Sequence, residues 1–481
     1  MFRITLPRWY TTPTTQVVLV GITCFATVGM FSAVSNLGAG GQQDVSLSDT
    51  SNGVLYGFFA VTGLISGGIC NVLGPPLTLF IGTLGYALYV GALWCHQTTN
   101  NGWFLILAGA LLGMTAALLW SAQGQIMMSY PLEKDKGKAF AIFWAIFQFG
   151  TFIGSLIALI INLREGKLLS VATSTYIAFL IIIFFGIASS FLVLGPNRVI
   201  RGDGTIVKLQ AKANIKDEVK GTLLLFKDWR MLALLPMSFA SNYFYAYQGA
   251  LNANLFDGTT RALNAVLESL GAVVGALFIG YLILDVDRFK RRSRGYAGLG
   301  FVTAITIVIW SVTLAWQVTF TRADFTDNNR ISFRDHKVYP VYFGDACYQA
   351  LVYWIMSALS NDPFTLARFA GFYKAIQSAG SAGSFGMDAV NTPFLNELLG
   401  SWIMMLVSFP LAFIVIRSIK DTNYTDEKMV YVDDIKGGVE AVLHGEVLES
   451  ASKGSLEKGE LETLRAVIEV EKFVRNEHIL D

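Results

Sequence analysis

Glu268, Asp345, Lys374 and Asp388 are ionisable residues set within long apolar stretches. A charge in hydrocarbon is costly, so such residues usually face a cavity or a partner. Glu268 and Asp345 are the candidates for proton coupling. Lys374 reads either as a cation in a central cavity or as a side chain snorkelling to the nearer interface. Asp345 and Asp388 also read as helix-end charges. Uncharged polar residues accompany them: Asn36, Gln123, Gln125, Gln148, Asn242, Gln248, Gln349 and Gln377, with Tyr243, Tyr245, Tyr247, Tyr348 and Tyr373. In lipid such side chains either bond a neighbouring helix or line a solute path. The substrate-binding candidates are Gln148, Gln377, Tyr373, Lys374, Gln123 and Asn36.

These residues sit in a chain of 481 residues, 53% hydrophobic and 15% charged. Soluble domains carry about 25% charged residues. Apolar blocks of about 20 residues match the hydrocarbon thickness at a helical rise, and backbone groups in lipid must pair internally. The reading is an all-α membrane protein with twelve spans. They fall at 16–37, 53–73, 76–96, 103–128, 139–162, 172–195, 231–251, 262–284, 296–316, 343–360, 369–390 and 398–418. The tenth and eleventh are the least apolar. The first block is too long for a cleavable leader.

Lys and Arg set the orientation. With the N-terminus inside, the inner segments hold 21 basic residues and the outer loops seven, counted to Lys420. Both termini are then cytoplasmic, and the sequon at Asn423 stays unglycosylated. The polar, basic segment 196–230 divides a half at 1–195 from a half at 231–419. The tail, 420–481, carries 15 acidic and eight basic residues, and its apolar spacing from Leu456 to Val474 predicts an amphipathic helix. On this topology Glu268 and Lys374 each lie about 9 Å from opposite faces, which separates them by about 12 Å of depth. A direct ion pair is not expected.

The halves echo each other. FAIFWAIFQFGTFIGS begins at Phe140 and FAGFYKAIQSAGSAGS at Phe369, with Gln148 and Gln377 in register. Gly63 and Gly67 in the second span match the small-residue step of Gly271 and Gly275 in the eighth. Equivalent spans in the same orientation imply a parallel six-plus-six repeat, the major facilitator layout. NLGAGG at 36–41 follows a membrane helix and lacks GK[ST], so it reads as a turn rather than a phosphate loop. The basic run from Arg288 to Arg294 reads as inner-face retention, not nucleic-acid binding. Cys24, Cys70, Cys95 and Cys347 lack CxxC spacing and read as packing residues. No metal cluster, cofactor motif or catalytic constellation is present in the sequence.

Four stretches carry a resemblance: NLGAGG at 36–41, AALLWSAQGQ at 116–125 with Tyr130-Pro131 after it, DACYQ at 345–349, and FYKAIQSAG at 372–380. Together they resemble the Unc-ninety-three-like, or ion-channel-regulatory, branch of the major facilitator superfamily, in a fungal-type version. The likeness covers most of 16–418. It implies the twelve-helix fold and either of two roles. One is secondary transport of a small solute. The other is regulation or trafficking of a partner membrane protein. The superfamily's loop motif between spans two and three is degenerate here, reading NVLGPP at 71–76. The equivalent loop after span eight is closer, with Asp285 one residue late. A wet polar centre favours transport, and an occluded apolar centre favours the partner role.

Overall fold

The computed structural model describes residues 6–36, 45–165, 173–208, 213–324, 330–332, 342–424 and 431–432. All of the regular structure described is helical, with only isolated β-bridges besides. The expected tail helix and most of NLGAGG lie outside the described residues.

The chain begins with α1 (Pro13–Ala26) and α2 (Val28–Asn36), bent by 42° at Thr27. Then come α3 (Val45–Leu73), α4 (Pro75–Thr99), α5 (Gly102–Ser129), α6 (Lys136–Glu165) and α7 (Thr173–Ser189). A polar segment follows, holding the short helix α8 (Ile215–Leu225). The expected seventh span is not one rod. It is broken into α9 (Trp229–Ala233), α10 (Leu235–Ala240) and α11 (Tyr245–Leu255). The remainder is α12 (Gly258–Ile279) with a π-helical end at Gly280–Leu284, α13 (Arg291–Gln317), α14 (Tyr342–Leu359), α15 (Pro363–Ala389) and α16 (Phe394–Arg417).

Among the described residues, eight helices are long and apolar enough to cross a membrane, and the bent α1–α2 pair makes nine. The eight are α3 to α7, α12, α13 and α16. Their outward residues, such as Val61, Ile181, Phe184, Phe185, Val308 and Val312, are exposed. A surface this apolar suits lipid, not water. Helices α14 and α15 form where the tenth and eleventh spans are expected but fall outside the eight. Their polarity has a structural cause. Asp345, Gln349, Lys374 and Gln377 are all buried, so these helices turn polar side chains inward.

Small residues let the rods approach. A Cβ on Gly67 would meet Ala367 O at 2.4 Å, and one on Gly63 would meet Ala375 at 2.9 Å. The step in α3 is thus a seat for α15. The matching step in α12 is a seat for α14, with Gly275 against Phe343 O. The most extensive contact of α15 is with α3, and that of α12 is with α6. Cys24, Cys70 and Cys347 are buried, Cys95 is partly buried, and all four are free. Asn423 is also buried, its amide donating to Ala358 O at 3.1 Å.

Candidate functional site

A cavity of about 100 Å³ lies at the centre of the helices. It is walled by residues of α2, α3, α4, α5 and α6 on one side and of α12, α14 and α15 on the other, together with the break before α11. Lys374, Gln148, Gln377 and Asn36 line it, with Asn242, Gln349 and Ser378. Its apolar wall is aromatic: Phe31, Phe59, Trp120, Trp144 and Phe147.

Lys374 is 3% exposed, which places it in the interior and rules out snorkelling. Its ammonium donates to Gln377 Oε1 at 2.7 Å and sits 4.1 Å over the Trp120 ring, with the Tyr373 and Tyr353 rings at 5.2 and 5.7 Å. Cation–π contact of this kind holds a desolvated cation without neutralising it. No carboxylate among the described residues lies within 4.0 Å of it, Glu268 included.

The break in the seventh segment aims the donors. Residues 241–244 leave the helix, and this puts Ser241 and Asn242 against α15. Gln377 Nε2 donates to Ser241 Oγ at 2.7 Å and Asn242 Oδ1 at 2.9 Å. Gln377 Oε1 is thereby turned to Lys374. Tyr373 does not line the cavity. It hydrogen-bonds Ser241 at 2.7 Å and braces Gln377 from behind. Gln123 likewise lies outside, accepting from Tyr353 at 3.3 Å. Asp345 is buried beside the cavity and accepts from Gln349 at 2.9 Å and Tyr245 at 3.1 Å. Several of the other polar residues bond neighbouring helices: Gln125 with Asn71 and Cys70, Tyr247 with Gln317, and Tyr348 with Met237 O.

A second cavity of about 60 Å³ adjoins the first, sharing Phe31, Asn36, Tyr56 and Tyr245. Glu268 and Asp49 both line it. Glu268 has no hydrogen-bond partner among the described residues.

Polar clusters, called locks below, lie at both ends of the bundle. At the end bearing the 196–230 segment, Lys136 donates to Ser357 O at 2.7 Å, Ser360 O at 3.2 Å and Asn361 Oδ1 at 2.8 Å. Beside it Glu133 pairs with Arg291 at 3.2 Å and accepts from Asn361 at 2.6 Å. Glu218 of α8 joins Asn71 to Arg368, and Lys208 pairs with Asp362, the N-cap of α15. Burial alone would lift the Asp362 carboxyl, but Lys208 and Thr365 outweigh it and hold the group below the usual carboxylate range. At the other end Arg322 joins Asp388 and Glu397, bonds Thr392 O at 2.7 Å and stacks on Phe394, with Asp49 alongside Asp388. Sequence reasoning weighed Asp388 as a helix-end charge or a residue facing a partner, and missed Arg322, Glu397 and Asp49. Their partners are scattered along the chain, so no local pattern marks them.

A centre of this kind, between helices from both ends of the chain, calls for comparison with known membrane proteins. The sequence profile described as Ion channel regulatory protein UNC-93 matches residues 49–412. The chain belongs to the UNC-93 family. UNC93-like protein 1 of Arabidopsis thaliana is 39% identical over 431 residues, spanning 87% of this chain and 94% of that protein. An UNC93-like protein of Schizosaccharomyces pombe is 37% identical, spanning 86% and 84%. Among solved structures, the human organic anion transporter MFSD10 superposes with a TM-score of 0.56 at 12% identity, over 85% of this chain and 100% of that one. FucP of E. coli, a major facilitator superfamily transporter, superposes at 0.55 with 12% identity, over 85% and 99%. At these identities the likeness establishes the fold alone: this UNC-93 protein has major facilitator architecture.

Proposed function

We propose that this chain is a secondary transporter of a small solute, built from twelve membrane crossings in two six-helix halves, 1–195 and 231–419. The segment 196–230 links the halves in the cytoplasm, and both termini and the acidic tail 420–481 lie on that side. The interfaces support the duplication. Moving six spans along the chain converts the α3–α15 contact, second on eleventh, into the α12–α6 contact, eighth on fifth. A path through the centre opens when the halves rock, releasing one lock while the other holds.

The observation that carries this reading is the central cavity, with Lys374, which has no carboxylate within 4.0 Å among the described residues, and the repeat-related Gln148 and Gln377 in its walls. A structural core has little use for such a set, because a buried lysine with no direct ion pair is costly to the fold. Lys374, Gln148, Gln377 and Asn36 are the solute contacts in this proposal, and Tyr373 and Gln123 support them. Glu268, unpartnered on the adjoining cavity, is the proton carrier, and Asp345 shares that role. Purified protein in liposomes should take up a solute faster with an imposed proton gradient. No uptake across a broad solute panel, with or without the gradient, would sink the reading.

A second reading is favoured by the family's description and by the degenerate 71–76 loop: a non-transporting regulator or trafficking partner of another membrane protein. It requires a stoichiometric membrane partner on pull-down in mild detergent. Recovery of none would remove it.

A further inference from the structure

We infer that the solute is a small organic monoanion, its carboxylate held by Lys374 and Gln148. The inference rests on the transport reading above.

The lining defines the ligand. Among the described residues, Lys374 is the sole charged one lining the central cavity. Its ammonium has three donors, and Gln377 takes one. The described residues offer no acceptor to the other two. Gln148, 7% exposed, also lines the cavity and makes no side-chain hydrogen bond among them. A buried donor left unpaired is costly, so donors gathered around one space point to a missing acceptor.

Neither Asp345 nor Glu268 makes a direct ion pair with Lys374, although Asp345 acts on it through space. Asp345 is satisfied by Gln349 and Tyr245 and is not part of the lining, and Glu268 opens on the adjoining cavity. Three of the lining amide oxygens, Asn242 Oδ1, Gln349 Oε1 and Gln377 Oε1, are engaged as acceptors, and Gln148 is free to turn its N–H to an anion. The lining therefore offers a positive charge and spare donors to whatever enters.

Size and wall chemistry select an organic ion. By the measure in which one water occupies about 10–15 Å³, a cavity of 100 Å³ holds roughly seven to ten waters. A carboxylate carrying a short apolar body fits, with that body against Phe31, Phe59 and Phe147. A bare halide would leave the aromatic wall unused.

The test is thermal protection of the purified full chain by sodium butyrate, lactate and benzoate. Butyramide and benzamide serve as uncharged counterparts and sodium chloride as the inorganic arm. The carboxylates should protect, and the amides and chloride should not. Lys374→Met should weaken carboxylate binding by about 10- to 100-fold, the loss of a charge-assisted contact. Lys374→Met gives up the hydrogen bond to Gln377 and the contact with Trp120, so its carboxylate affinity is read against its own ligand-free melting temperature. Gln148→Leu, which leaves the cation in place, should weaken it less. Protection by the amides equal to that by the carboxylates, unchanged affinity in Lys374→Met, or no protection by any carboxylate would overturn the inference. Chloride alone protecting would assign the site to inorganic anions and overturn it as well. Proton-driven uptake of an uncharged solute, undiminished in Lys374→Met, would refute the anion while leaving transport intact. Carboxylate binding without uptake would refute transport while leaving the site intact.

Discussion

Replacing Lys136 with Met should loosen the bundle at the end that carries the 196–230 segment. Lys136 begins α6, and its three acceptors lie at the end of α14 and in the turn before α15. In the proposed architecture these belong to opposite halves. The side chain is 4% exposed, so little water is at hand to replace the lost bonds. A bond from a charged donor is worth about 1.5–3 kcal/mol, and a cation at a helix C-terminus adds up to about 2. Because the three bonds share one ammonium they do not add, and about 3–5 kcal/mol is expected for the set. If about 3 kcal/mol of this is lost when that end opens, the open population rises roughly 150-fold. Hydrogen exchange at the amides of 130–136 and 357–363 reads this directly. Exchange should accelerate there by about two orders of magnitude, while the α12 amides keep wild-type protection. The exposed Lys134→Met is the control. Wild-type exchange in Lys136→Met would show that these bonds hold nothing shut.

Arg322→Met should leave Asp388 and Glu397 buried without their guanidinium and cost about 3–5 kcal/mol, read as a lower melting temperature; an unchanged melt would refute the pairing. Asp362, held below its usual range, contributes stability that is fully present above about pH 4 and lost as pH falls through its depressed value. Lys208→Ala should flatten that acid limb below about pH 4, and parallel limbs in variant and wild type would contradict it. Gly67→Ala places a methyl 2.4 Å from Ala367 O and against backbone that cannot give, so it should exceed the usual 1–3 kcal/mol of overpacking. Gly57→Ala on the same helix meets nothing within 4 Å and should shift stability by less than about 1 kcal/mol.

The helices were legible because length and apolarity are local properties. The Gly63 and Gly67 step announced a close helix contact, although its partner, α15, is 300 residues away. Gln148 and Gln377 were legible through the repeat, which aligned two amides that meet at one cavity. Lys374 was open between interface and interior because depth along a helix does not give rotation about it. The break at 241–244 was hidden for a related reason. The stretch from Met231 to Leu251 carries no charge and reads as one span, and its interruption accompanies the packing of Ser241 and Asn242 against Gln377. The Arg322 cluster was least legible, since nothing within the chain marks a loop arginine as the partner of two later carboxylates.

Two-sided access to the central cavity tests the account most directly. Gln148→Cys, on a background lacking Cys24, Cys70, Cys95 and Cys347, would be treated in sealed vesicles with a membrane-impermeant thiol reagent from one side and then the other. Transport by rocking halves predicts labelling from both sides, slowed by a bound carboxylate. A cysteine that labels from neither side, or from one side only under every condition, would contradict a moving central site and leave the regulatory role as the surviving explanation.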